Sequence, residues 1–117
     1  NDRFGHAAGD QVLVRAAGLL CDVLRETDTV IRSGGEEFLV LMPHTGARAA
    51  AACCARISEA IRDERWERIA PGLAVTTSVG LACTRERGDL EALIRLADQR
   101  LYAAKRAGRD RVVNSSR

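Results

Sequence analysis

A chain of 117 residues has the length of one domain around one hydrophobic core, so two independently packed units are excluded. With 46% hydrophobic residues but only 3% aromatic, that core is built from Leu, Val, Ile and Ala. A balance of 18 basic against 16 acidic residues leaves +2, too even for nucleic-acid or membrane binding by bulk charge, so any anion site is local.

The predicted elements run as follows. Residues 1–10 are polar and glycine-containing and read as a loop entering a helix. From Val12 to Leu24 the residues Leu13, Ala16, Ala17, Leu20 and Leu24 share one helical face. Thr29–Arg32 is β-branched and reads as a strand. Gly34-Gly35 follows, then Glu36–Met42, apolar on both alternations from Phe38 onward, as for a strand covered on both sides. Two strands joined by Gly-Gly predict a hairpin with positive φ at both glycines. Pro43 ends the second strand. Thr45 or Gly46 opens a helix with Ala50, Cys54, Ile57 and Ile61 on its inner side.

Pro71-Gly72 breaks the chain before a Val- and Thr-rich strand, Val75–Cys83. Gly88-Asp89 caps a third helix with a core stripe of Leu90, Leu93, Ile94, Ala97, Leu101 and Ala104. Gly108 ends it, and Arg111–Asn114 reads as a last strand. This order predicts an α/β domain over residues 1–117, with helices on a mainly antiparallel sheet. A chain that opens on a structured loop and a helix also suggests a further strand before residue 1.

No apolar run approaches the ~18 residues of a membrane span. Cys21, Cys53, Cys54 and Cys83 form no CxxC pair and have no His at metal-ligand spacing. They read as reduced thiols packed as small hydrophobes, which fits a cytoplasmic domain. His6 and His44 have no neighbours of a nucleophilic triad.

The chemistry concentrates at Arg32-Ser33-Gly34-Gly35-Glu36-Glu37-Phe38. Two glycines make a wall that a bulky ligand can approach, and two carboxylates beside a phosphate site are a usual way to hold Mg²⁺. On the third helix, Asp98, Tyr102, Lys105 and Arg109 fall on one face by i+4 and i+3 steps. Its two cations can clamp a triphosphate, with Asp98 as their structural ion partner. Upstream, Arg25-x-x-Asp28 offers a guanidinium to fork a phosphate and a carboxylate to accept from a base edge. Taken alone, each of these also fits a solvated surface pair.

Gly34-Gly35-Glu36-Glu37-Phe38 resembles the GG[DE]EF signature of diguanylate cyclases. Asn1-Asp2-x-Phe4-Gly5-His6-x-x-Gly9-Asp10 is similar to that family's opening loop, and Leu101-Tyr102-x-Ala104-Lys105-x-x-Gly108-Arg109-Asp110 to its last helix. The three segments occur in the family's order across the chain. The resemblance implies a ferredoxin-like, nucleotide-cyclase palm-type fold. It also implies condensation of two GTP into cyclic di-GMP and pyrophosphate.

By the same resemblance Asn1 and Asp10 bind the guanine base, and Gly34 and Gly35 line the nucleotide. Glu36 is the metal ligand and proton acceptor, Glu37 a further metal contact, and Lys105 and Arg109 bind phosphate. Arg25 and Asp28 form a product-inhibition site to which Arg56 adds a second arginine. His6 belongs to the loop pattern in a structural role.

The implied cofactor is Mg²⁺ or Mn²⁺. The implied assembly is a homodimer in which each subunit holds one GTP, attached in the parent protein to an upstream sensory or regulatory domain that can be membrane-bound. The family's first strand, with a metal-binding aspartate and a phosphate-contacting lysine, falls before Asn1. The alternative is therefore a catalytically incompetent domain that acts as a cyclic di-GMP binding module.

Overall fold

The first helix grows from a stripe at fourfold spacing. A computed structural model, which describes residues 5–114, places α1 at Gly5–Val23, with Ala8, Val12, Ala16 and Leu20 buried. The helix starts six residues earlier than the polar opening suggests, because Ala8 extends the stripe by one turn. The inner face centres on Val12 rather than on Leu13, which is only half-buried.

Strands β1 (Thr29–Arg32) and β2 (Phe38–Leu41) pair antiparallel, from Thr29 opposite Leu41 to Arg32 opposite Phe38. The Ser33 N–H donates to the Glu37 carbonyl at 2.9 Å and closes the turn. The hairpin is as expected, but its turn is not. Neither Gly34 nor Gly35 has positive φ, because the loop also takes in Glu36 and is longer than a two-residue primed turn. The Arg32 side chain folds over it and donates to the Gly34 and Gly35 carbonyls. Those contacts satisfy groups that the ladder leaves open.

Helix α2 (Ala47–Asp63) opens after Gly46 and buries Ala50, Cys53, Cys54, Ile57 and Ile61. A 3₁₀ turn at Trp66–Arg68 follows. Trp66 is 2% exposed, and its indole N–H donates to the Ile61 carbonyl, so its one polar atom is satisfied. Val12, Ala16, Leu20, Cys53, Ile57, Ile61, Trp66 and Leu73 form the main core between α1 and α2. All four cysteines are free thiols; Cys21 is exposed rather than packed. Burial pushes the Cys54 thiol up to about 11.

Strand β3 is Ser78–Gly80, shorter than the Val75–Cys83 run, because its partner β4 (Arg111–Val113) offers only three residues. This pair is parallel and is joined by α3 (Leu90–Arg106), which makes a strand–helix–strand unit. Gly80 lies directly against α3. A Cβ there would stand 2.1 Å from the Ala97 carbonyl oxygen and 2.2 Å from the Leu101 nitrogen.

Asp89 caps α3, its Oδ1 accepting the Glu91 N–H at 2.9 Å. At the other end Gly108 has φ +120, and the Arg109 N–H reaches the Ala104 carbonyl at 2.9 Å, a Schellman stop. The expected stripe on α3 is only part of its inner surface. Leu96, Arg100 and Ala104 are its buried residues, whereas Leu90 is 58% exposed.

The α/β class therefore holds, with one antiparallel and one parallel pair of strands that do not join into one sheet among the described residues. Between the pairs lies a cavity of about 1620 Å³. Leu39 and Leu41 of β2 line it, together with the segment around β3 and Leu93, Ile94, Ala97 and Leu101 of α3. That opening explains why so much of the α3 stripe is half-buried. Among the described residues no helix is long and apolar enough to cross a membrane.

Candidate active site and the Arg25 site

The wall of the cavity includes the polar residues singled out in the sequence. Asp10 from α1, Gly34, Gly35, Glu36 and Glu37 from the hairpin, and Lys105 and Arg109 from the end of α3 all line it. Asn1 lies outside the described residues.

Each element presents its residue for a local reason. Asp10 is exposed in the interior of α1, not at its start, so its carboxylate is not spent on N-capping. The glycines are not demanded by the fold. A Cβ on Gly35 would meet nothing within 4 Å, and one on Gly34 would make only ordinary contact with Glu37 at 3.8 Å. Their φ values are unexceptional as well, so neither packing nor backbone conformation within the described residues requires glycine here.

Glu36 projects from the loop and is exposed, whereas Glu37 is half-buried and accepts from Lys105 Nζ at 3.1 Å. That ion pair ties α3 to the hairpin. It also corrects the expectation for Asp98, which is exposed on the cavity wall while Lys105 pairs with Glu37 instead. Arg109 is not on the helical face. It follows the Schellman glycine at φ +64, beside Asp110 at φ +47. Asp110 is held by Arg62 of α2 at 2.8 Å. His6 is exposed and lines the cavity rather than packing, and His44 is exposed in a turn at φ +54.

The donor set suits a hard cation. Two carboxylates, one with its oxygens open to solvent, match an ion that takes one or two carboxylates and completes its shell with water and substrate phosphates. Among the described residues no group of three or more His, Cys, Asp or Glu gathers into a self-sufficient metal cage.

Arg25 and Asp28 are brought together outside the cavity lining, next to Pro43 and Thr45 on its wall. Asp28 Oδ2 accepts the Arg25 backbone N–H at 2.8 Å and Oδ1 accepts Arg25 Nη2 at 3.2 Å. These bonds, the backbone one first, hold the Asp28 carboxyl below its ordinary pKa. The carboxylate is only 2% exposed and the Arg25 side chain 56%. Arg56 stands on the exposed side of α2, and no hydrogen bond or ion pair joins it to this pair.

One charged cluster was not legible as a site. Arg100, 5% exposed, donates to the Leu81 carbonyl at 2.7 Å and forks the Glu86 carboxylate. Position 100 falls on the inner face, three residues after Ala97 and four before Ala104, but an arginine reads as surface by residue type, and periodicity does not name its partners Leu81 and Glu86.

A family model described as "Diguanylate cyclase, GGDEF domain" matches residues 1–111. The chain belongs to the GGDEF family. It is 44% identical over 112 residues to the diguanylate cyclase DgcP of Pseudomonas aeruginosa, covering 96% of this chain and 17% of that protein.

Two solved GGDEF domains superpose closely. That of YfiN (TpbB) from Pseudomonas aeruginosa has a TM-score of 0.83 at 34% identity, covering 99% of this chain and 74% of the other. That of DgcB from Caulobacter crescentus, in complex with c-di-GMP, has a TM-score of 0.83 at 33% identity, covering 97% and 68%. The GGDEF chain spans between 17% and 31% of the length of the first curated relatives it matches.

Proposed function

We propose that this GGDEF domain condenses two GTP into cyclic di-GMP and pyrophosphate, and that it binds its product at Arg25 and Asp28, with Arg56 as a second arginine. The observation that supports the first part is that one cavity is lined by a carboxylate from α1, a bare glycine wall, two carboxylates and two cations, with Lys105 bonded to Glu37. Those groups match the parts of a guanosine triphosphate.

In this reading the Asp10 carboxylate accepts from the guanine N1–H and N2–H₂ donors, and the Asn1 amide donates to a guanine acceptor. The Gly34-Gly35 backbone lets the ribose and phosphates come close. Lys105 and Arg109 hold the triphosphate. Glu36 is the principal ligand of Mg²⁺ or Mn²⁺ and takes the proton of the ribose 3′-hydroxyl, with Glu37 as a second ligand. A bound divalent cation supplies charge neutralisation at the phosphate and activation of the attacking hydroxyl.

The Glu37–Lys105 pair suits the free state, where cation and carboxylate neutralise each other. On nucleotide binding Lys105 exchanges its carboxylate for phosphate. The 3′-oxygen of one GTP then bonds to the α-phosphorus of the other, and the bond to pyrophosphate breaks. Two such steps close the ring. The reaction needs two domains facing each other across a two-fold axis, each with one GTP, positioned in the parent by an upstream sensory or regulatory segment.

The test is Glu36→Gln in the full-length protein with GTP and Mg²⁺ or Mn²⁺, with product separated by chromatography. A neutral amide is a much weaker ligand for a hard cation, so cyclic di-GMP formation is expected to fall to background. Undiminished formation removes Glu36 from the metal site. No product from the unaltered protein, with cyclic di-GMP still bound, makes the domain a binding module.

A further inference from the structure

The Arg25 guanidinium is already occupied. Its Nη2 donates to Asp28 Oδ1 at 3.2 Å, to the Pro43 carbonyl at 3.1 Å and to Thr45 Oγ1. An arginine forks a phosphate either end-on, through Nη1 and Nη2, or side-on, through Nε and Nη2. Nη2 is common to both forks, and here all three contacts fall on it. Bidentate phosphate binding by Arg25 therefore begins with release of Nη2.

The three acceptors differ in how they let go. Asp28 is local, with its carboxylate buried and pinned by the Arg25 backbone. Pro43 and Thr45 belong to the turn between β2 and α2, where His44 at φ +54 reverses the chain. The Thr45 hydroxyl spends its proton on the Pro43 carbonyl at 3.0 Å, which turns its lone pairs to Arg25.

We propose that Thr45 is a latch on the Arg25 site. Its hydroxyl competes with a phosphodiester for Nη2, and thereby sets the affinity for a cyclic dinucleotide. The proposal rests on the reading of Arg25 as a product contact and adds the device that regulates it. Thr45 is a positioning residue: it acts on the ligand only through Arg25.

The test is calorimetric titration of this chain with cyclic di-GMP. Thr45→Val, which keeps the shape and removes the acceptor, is expected to bind roughly two- to tenfold more tightly, the worth of one competing hydrogen bond. Thr45→Ser is expected to match the unaltered chain, and Thr45→Ala to follow Thr45→Val should the larger side chain disturb the turn. Unchanged or weaker binding by both Thr45→Val and Thr45→Ala, with Arg25→Ala still weakening it, overturns the latch alone. Arg25→Ala without effect overturns the product-site reading itself.

Discussion

Replacing Glu86 by Gln removes one charge from a pair whose other member cannot reach bulk water. Arg100 is 5% exposed, and its Nη1 lies 2.9 Å from Glu86 Oε1. The Arg100 hydrogen bonds, helped by the Cys83 N–H, hold the Glu86 carboxyl at about 2, against an ordinary 4.5. That difference corresponds to a ceiling of roughly 3 kcal/mol. The Glu86 side chain is 34% exposed, so solvent screening reduces it to about 1–2 kcal/mol.

For a domain of this size, that is roughly 4–8 °C of melting temperature. Because the folded pKa is depressed, the stabilisation is complete above the ordinary carboxylate pKa and is lost as pH falls from about 5 toward 2. Thermal unfolding of Glu86→Gln beside the unaltered chain, at pH 7 and at successive steps down to pH 3, is the assay. The variant is expected to melt several degrees lower at pH 7, with the gap closing as pH falls. Equal melting at pH 7, or a gap constant across the series, refutes the account.

Two further outcomes concern packing. Gly80→Ala places a methyl group 2.1 Å from the Ala97 carbonyl oxygen. Neither partner is a flexible side-chain end, so a loss of about 3 kcal/mol or more is expected in denaturant unfolding; a midpoint within error of the unaltered chain would mean that α3 does not sit on β3. Trp66→Phe keeps most of the buried ring but leaves the Ile61 carbonyl without its indole donor. It is expected to cost about 1–3 kcal/mol by the same measurement, and a gain in stability would show that the bond contributes nothing.

How far the sequence reveals this fold depends on which interactions are local. The hairpin, the Asp89 cap and the Gly108 stop are set by residues within a few positions of one another, and each stands where the sequence puts it. The start of α1 is misjudged because Gly5 and His6 mark a loop by composition, while Ala8 marks a helix only through burial against distant residues. The separation of β2 from β3, the pairing of Lys105 with Glu37 and the burial of Arg100 all join residues far apart in the chain. No periodicity encodes them.

At the candidate site the groups are named by the family resemblance, and the fold puts Asp10, Gly34, Gly35, Glu36, Glu37, Lys105 and Arg109 on the wall of one cavity. The resemblance does not show which groups are already engaged: Lys105 by Glu37, and Arg25 by Asp28 and the Pro43–Thr45 turn.

The β3–α3–β4 unit has a consequence for how the chain reaches this structure. Its three elements are consecutive over residues 78–113, so pairing β4 with β3 closes only the nine-residue segment 81–89, α3 and the short turn after it. The main core instead joins α1 to α2 across longer stretches of chain, Val12 lying 41 to 49 residues from Cys53, Ile57 and Ile61, whereas Trp66 meets Ile61 only five residues away. Contacts that are close in sequence form early in folding. Gly80 and Arg100 then act chiefly on the rate of folding, and Val12 of α1 chiefly on the rate of unfolding. A chevron series on Gly80→Ala and Val12→Ala reads that division directly: the first is expected to lower the folding arm, the second to raise the unfolding arm, and the reverse pattern would place the nucleus between α1 and α2.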